Sequence, residues 1–146
     1  MLSKSCRYGI RAVIYLASRP VSEGKTGIKK ISSELDLPAP FLAKILQQLA
    51  KQKILSSTKG PNGGFSILKD SRKVTLFDIV RTIDGNDIFT DCVMHNGSCQ
   101  NVEKEKKQCP LHDDYSKTRT NLITLFSNTT IYDLVTRVNN SELVNI

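Results

Sequence analysis

The sequence predicts a mainly α-helical fold with one small β-hairpin and a long C-terminal helix able to pair two copies. Three observations support this. Apolar residues recur at helical spacing through much of residues 7–53 and return from residue 75. Two short runs, 54–57 and 65–68, flank a stretch dense in turn residues. Cations concentrate early: residues 1–60 hold 11 Lys/Arg against 3 Asp/Glu, whereas residues 61–146 hold 10 against 11, within a net charge of +7.

The first helix is predicted over 7–18, with Tyr8, Ala12, Tyr15 and Leu16 on one face. Pro20, Gly24 and Gly27 then mark a loop. Thr26 or Gly27 caps a short second helix ending at Leu35, with Ile28, Ile31 and Leu35 inward. Asp36, Leu37 and Pro38 form a tight turn. Pro40 suits the first turn of a third helix, where its missing N–H costs nothing. That helix runs to about Lys53, burying Leu42, Ile45, Leu46 and Leu49 and presenting Lys44, Gln47, Gln48 and Lys51 outward. Two short helices joined by a tight turn, the second polar and basic outside, form a helix-turn-helix. The hairpin that follows, turning through Thr58-Lys59-Gly60-Pro61-Asn62-Gly63-Gly64, is then the wing of a winged helix.

Thr75 opens a fourth helix, with Asp78 completing a capping box and Gly85 ending it. Residues 86–112 lose periodicity, and so long a structureless loop implies a function or a tether. Periodicity resumes at Asp113 for about 15 residues. Tyr115, Leu122, Leu125 and Phe126 form an apolar face with no partner helix left in the chain, so a second subunit is expected to cover it. A short helix over 131–138 precedes the tail. The expected organisation is a DNA-binding unit over 1–85, a cysteine-rich sensor loop over 86–112, and a dimerisation helix with tail over 113–146.

A basic first part suggests a polyanion partner. Lys4, Lys30, Lys44 and Lys59 are candidate phosphate contacts. Ala39, Pro40, Phe41, Lys44 and Gln48 lie early or outward on the recognition helix, where base edges come within reach. In the wing, Ser57, Lys59, Gly60, Asn62 and Gly63 are candidates, the glycines allowing backbone to approach phosphates. No apolar run spans a bilayer and no secretory core opens the chain, so no membrane partner and a cytoplasmic location are expected. No nucleophile elbow and no phosphate loop accompanies the two histidines, which argues against an enzyme.

Cys92, Cys99 and Cys109 fall within 18 residues, and two Cys-x-x-His pairs end at His95 and His112. In a cytosolic chain such clustering signals metal or redox chemistry more than structural disulfides. Three thiolates and an imidazole satisfy zinc or an iron–sulfur cluster. The spacing leaves an iron–sulfur cluster, a zinc ion and bare redox-active thiols all open. Cys6, inside a helix, is expected in the core.

The chain resembles the winged-helix repressor family that includes IscR, NsrR, CymR and BadM, over nearly its whole length. The resemblance rests on Ser5-Cys6-Arg7-Tyr8-Gly9-Ile10-Arg11-Ala12, residues 41–49, residues 57–65 with Lys59-Gly60-Pro61-Asn62-Gly63-Gly64-Phe65, the Thr75-Leu76-Phe77-Asp78-Ile79-Val80 helix, and the ordered cysteines. It implies a homodimer on a partly palindromic double-stranded DNA operator. It also implies that Cys92, Cys99 and Cys109 hold a cluster, 2Fe–2S ahead of 4Fe–4S, as in cluster-bearing members. His112 matches the fourth ligand of the IscR branch. The aspartate used by the NsrR branch falls at or beside Arg7, where no carboxylate stands. Members without a cluster also exist and sense through protein partners.

Overall fold

In a computed structural model, the structure describes residues 1–94, 97 and 109–140, with the side chain of Asn140 excepted. The elements run α1 (Lys4–Ser18), α2 (Ile28–Leu35), α3 (Ala39–Lys51), β1 (Leu55–Thr58), β2 (Gly64–Ile67), α4 (Leu76–Ile83), α5 (Asp87–Thr90), α6 (His112–Asn128) and α7 (Ile131–Asn140). The expected mainly α architecture with a hairpin wing is present.

α1 starts three residues before its expected first turn because Ser3 caps it, its side chain accepting from the Cys6 N–H at 3.0 Å. α2 ends where Asp36 turns left-handed, φ 52°, and its N–H returns to Ser32 and Ser33. Pro40 does sit in the first turn of α3. The main core gathers α1, α2, α3 and the hairpin around fully buried Val13, Ile31, Leu42, Leu46, Leu49 and Leu55. The Thr75–Asp78 capping box forms in both directions at the head of α4.

The hairpin is antiparallel, pairing Leu55 with Ile67 and Thr58 with Gly64. Thr26 adds a third rung: its N–H donates to the Phe65 carbonyl and its carbonyl accepts from the Phe65 N–H, each at 2.9 Å. Thr26 is therefore spent on the sheet, and α2 is capped by Gly27 with no side-chain bond. The wing glycines are constrained from inside the chain. A Cβ on Gly63 would lie 2.2 Å from the Thr58 carbonyl oxygen, and one on Gly64 2.3 Å from that of Thr26. Gly60, at φ 108°, has open space.

Two further differences concern the C-terminal part. The stretch after Gly85 is not wholly irregular: α5 makes one turn and buries Phe89. Phe89 joins Cys6 and Val80 in a second, smaller core, against which Leu122, Ile123 and Phe126 of α6 pack. The Phe89 ring meets Phe77 at 4.5 Å and Phe126 edge-on at 5.9 Å. Thus the apolar face of α6 does find partners in its own chain, contrary to the expectation that none remained. α7, expected as a helix before the tail, belongs to the main core. Ile131 is fully buried, with Leu134, Val135 and Val138 packed around the cluster. A two-bond clasp sets its place: the Leu76 N–H donates to the Thr129 carbonyl at 3.0 Å, and the Ile131 N–H to that of Val74 at 2.9 Å.

Candidate nucleic-acid face and sensor site

The helix pair and wing expose most residues expected to meet DNA. Lys4, Lys30, Pro40, Phe41, Lys44, Gln48, Ser57, Lys59, Gly60 and Asn62 are exposed, whereas Ala39 and Gly63 are half-buried. Phe41 also packs edge-on against Tyr8, centroids 6.0 Å apart, so it steadies the start of α3 while showing one face outward. α3 and the wing are tied together by a 3.4 Å bond from Gln47 Nε2 to Ser57 Oγ. Lys25 donates to Ser56 at 2.9 Å and to Thr58, bracing β1 from the loop before α2. Sequence reading missed Lys25, because its partners lie over thirty residues away.

Gln48 stands apart from the first turns of α3. It lines a cleft together with Ser3, Ile83, Asp84, Asp91, Cys92 and Tyr115. Gln48 of α3 and Cys92 therefore share a cleft. Above it, Asp84 accepts from both the N–H and the hydroxyl of Ser3, fastening the end of α4 to the start of α1. Cys6 lies under this clasp and is fully buried. Its thiol is pushed up to about 12, chiefly by burial and then by the charge and hydrogen bond of Asp84. That fits the expected core residue and not a thiolate ligand.

Cys92 and Cys109, 17 positions apart, bring their sulfurs to 3.9 Å. Both are half-buried. The backbone on each side is held. The Cys92 N–H donates to the Gly97 carbonyl at 3.0 Å, and the Met94 N–H points at the Cys92 sulfur at 3.4 Å. The Cys109 carbonyl accepts from the His112 N–H at 3.0 Å, so the first residue of α6 is hydrogen-bonded back to the cysteine preceding it. Arg119, two turns along α6, reaches the carbonyls of Thr90 at 3.4 Å and Asp91 at 3.5 Å. Its guanidinium lies 5.7 Å from the Tyr115 ring centroid. No sequence signal marks Arg119, since its partners are carbonyls. Cys99 and His95 lie outside the described residues. Among the described residues no group of three or more His, Cys, Asp or Glu gathers as a metal site.

The geometry of the pair can be tested against a metal. Two thiolates on one tetrahedral ion, each at about 2.3 Å, lie about 3.8 Å apart. The sulfurs of Cys92 and Cys109 already stand at that separation, so the pair fits two corners of a zinc or iron–sulfur site, but among the described residues the His112 ring does not gather with them. On α6, Leu122 and Phe126 pack inward as described, Tyr115 lines the cleft, and Leu125 is 57% exposed. Among the described residues no helix is long and apolar enough to cross a membrane.

Comparison with known proteins places these features in context. The family described as "Rrf2: Iron-dependent Transcriptional regulator" matches residues 2–137. An HTH-type transcriptional regulator of Aquifex aeolicus (strain VF5) is 30% identical over 135 residues, covering 92% of this chain and 91% of the relative. The HTH-type transcriptional regulator IscR of Klebsiella pneumoniae (strain 342) is 25% identical over 145 residues, covering 99% and 83%. Among solved structures, CymR, the global cysteine regulator of B. subtilis, superposes with a TM-score of 0.74 at 23% identity, covering 94% of this chain and 97% of its own. That last likeness bears on the fold alone.

Proposed function

Because the chain belongs to the Rrf2 family of transcriptional regulators, we propose that it is a DNA-binding repressor. In this reading it acts as a cytoplasmic homodimer and its operator affinity is set by an iron–sulfur cluster on Cys92, Cys99, Cys109 and His112. The observation that carries the cluster reading is the 3.9 Å separation of the Cys92 and Cys109 sulfurs, and His112 follows Cys109 by three residues in sequence. A cluster bound there supplies a centre that oxidants, nitric oxide or iron supply can alter.

The chain's own residues do the rest. Lys4, Lys30, Lys44 and Lys59 give sequence-independent affinity for phosphates. The first turns of α3, with Ala39, Pro40, Phe41 and Lys44, read base edges in the major groove, and Gln48 completes the set. Ser57, Lys59, Gly60, Asn62 and Gly63 bring the wing to the flanking groove. Leu125, with the outer edges of Tyr115, Leu122 and Phe126, forms the contact with the second subunit. The sensor ligands join the end of α5 to the start of α6. Releasing them frees that joint and alters the angle between two reading helices that must match about one DNA turn.

Anaerobic purification with a visible spectrum and iron, sulfide and zinc analysis tests the reading. Iron and sulfide in near-equal amounts, lost in Cys99→Ala, are expected, with operator affinity differing between loaded and stripped protein. Equal affinity in both states would refute the switch. A structural zinc ion is the second reading, since the same sulfur separation suits it. Stoichiometric zinc without iron would favour that alternative, and a tetrahedral cobalt band would support it.

A further inference from the structure

We infer that in the metal-free protein Cys92 and Cys109 close an intrachain disulfide under peroxide, so that oxidation locks the sensor site against reloading. The inference goes beyond the cluster reading: it needs two thiols and their placement, and holds whether the resident metal is iron or zinc.

Three observations carry it. The sulfurs stand 3.9 Å apart. A disulfide is about 2.05 Å long, so forming the bond closes the gap by about 1.9 Å. The backbones are already held in register. Asp91 and Thr90 are bonded to Arg119, the Cys92 N–H to Gly97, and the Cys109 carbonyl to His112. The two thiols thus meet without the cost of closing the intervening loop anew. Finally, the Cys92 sulfur accepts the Met94 N–H at 3.4 Å, a contact that holds the side chain in this position. The other described thiol does not compete: Cys6 is fully buried beside Asp84.

The chemistry balances with hydrogen peroxide as oxidant. The Cys92 thiolate attacks one peroxide oxygen, the O–O bond breaks, and sulfenic acid and hydroxide result; the hydroxide takes up the proton Cys92 had released and leaves as one water. The Cys109 thiol then attacks the Cys92 sulfur, displacing the hydroxyl as a second water and forming the S–S bond. Two thiols have lost two electrons and two protons. A dithiol reductant of the thioredoxin type reverses the step through a mixed disulfide. While the bond stands, two of the metal-binding sulfurs are unavailable, so reloading waits on that reductant. The structure therefore supplies a device that stops the site from being rebuilt under oxidising conditions.

The test uses full-length protein stripped anaerobically with chelator and reductant, freed of both, and treated with equimolar hydrogen peroxide. After quenching with N-ethylmaleimide in denaturant, non-reducing digestion and mass spectrometry locate the bonds. A Cys92–Cys109 intrachain cross-link is expected as the major product in the wild type and in Cys99→Ser. Loss of the Cys109 thiol should slow at least tenfold in Cys92→Ser, and zinc uptake by the oxidised protein should return with dithiothreitol. A major cross-link through Cys99 or between chains, or unchanged Cys109 oxidation in Cys92→Ser, would overturn the inference. These outcomes are read without iron, so they are separate from success or failure of the cluster reading.

Discussion

Replacing Gly64 with alanine tests what the wing glycines are for. In a sheet-edge turn, glycine can serve an incoming phosphate or the chain's own backbone. The structure favours the second use at Gly64, where φ is 151° and a Cβ would meet the Thr26 carbonyl oxygen at 2.3 Å, its carbon at 2.5 Å and the Gly27 nitrogen at 2.8 Å. All three atoms are backbone and none can swing aside. Ordinary contact begins near 3.4 Å, so the Thr26 segment must retreat by more than 1 Å. That movement breaks the two 2.9 Å bonds between Thr26 and Phe65. Each bond is worth about 1 kcal/mol net, and an L-residue held at positive φ adds about 1–2 kcal/mol. Gly64→Ala should therefore destabilise the protein by about 3–4 kcal/mol.

Urea unfolding followed by circular dichroism reads this as a midpoint lowered by roughly 1–4 M for a small protein. Gly60→Ala is the control. Gly60 has φ 108° but nothing within 4 Å, so it carries backbone strain and no clash; its cost should be about 1–2 kcal/mol. Operator binding at a temperature where both variants are folded should suffer more from Gly64→Ala, because the wing loses its third rung. If the two variants prove equally stable, the close approach to Thr26 is not what position 64 requires, and the account of the wing fails.

Operator affinity should fall with salt at a log–log slope near −5 if about six phosphates are neutralised per dimer, and Lys59→Ala should flatten it by about 2; a slope near zero, by filter binding or anisotropy, would remove the electrostatic part of the reading. Cys6 gives a pH signature. Its folded thiol titrates near 12 against an ordinary 9.0, so its contribution to stability is complete below pH 9 and falls as pH rises toward 12. The loss should reach up to about 1.4 kcal/mol per unit above pH 9, and it should be absent from the difference between pH 8 and pH 10 urea midpoints in Cys6→Ala. Arg119→Ala should weaken cobalt binding by about tenfold or more, with helical content unchanged by circular dichroism and part of the affinity restored in Arg119→Lys. Unchanged affinity would show that the Thr90 and Asp91 carbonyls need no such anchor.

What was legible in the sequence was local. The helix-turn-helix shows in Leu42, Ile45, Leu46 and Leu49, whose spacing alone puts them on one face, and all four are buried. The Thr75–Asp78 box is likewise a three-residue pattern, present as both bonds. Where the deciding partner is distant, the signal vanishes. α5 is one turn with one buried anchor, Phe89, too short for any periodicity. The seat of α7 in the main core depends on the bridge between Thr75 and Thr130. The wing glycines are legible as turn residues, but the crowding of Gly64 against Thr26 is not, since Thr26 lies nearly forty residues earlier. The cysteines are legible as a cluster but not as a pair: the 3.9 Å separation depends on how α5 and α6 seat against the second core.

Under the proposed switch, the two cores also give a route by which a change at the cysteines would reach α3. The sensor ends are anchored to the smaller core through Phe89 and α6, while α3 is anchored to the larger one. Ile10 and Ile83 pack against both. At Ile83 the fit leaves no room: a Cβ on Gly9 would lie 2.3 Å from its Cδ1 and 3.1 Å from Cγ2 of Ile45 on α3. Glycine at position 9 thus lets α1 touch α3 and α4 at once. One residue past Ile83, Asp84 is clasped to Ser3, so the end of α4 cannot shift without carrying the head of α1. Close-packed interiors transmit displacement because they have little free volume to absorb it. A displacement of α4 would therefore be passed to Ile45, three turns or fewer from every residue of α3 that faces outward, through contacts within one subunit. The change in angle between subunits in the proposed switch would add to that route and not replace it. Gly9→Ala would separate the two: it crowds Ile83 and Ile45 while leaving the exposed face of α6 untouched.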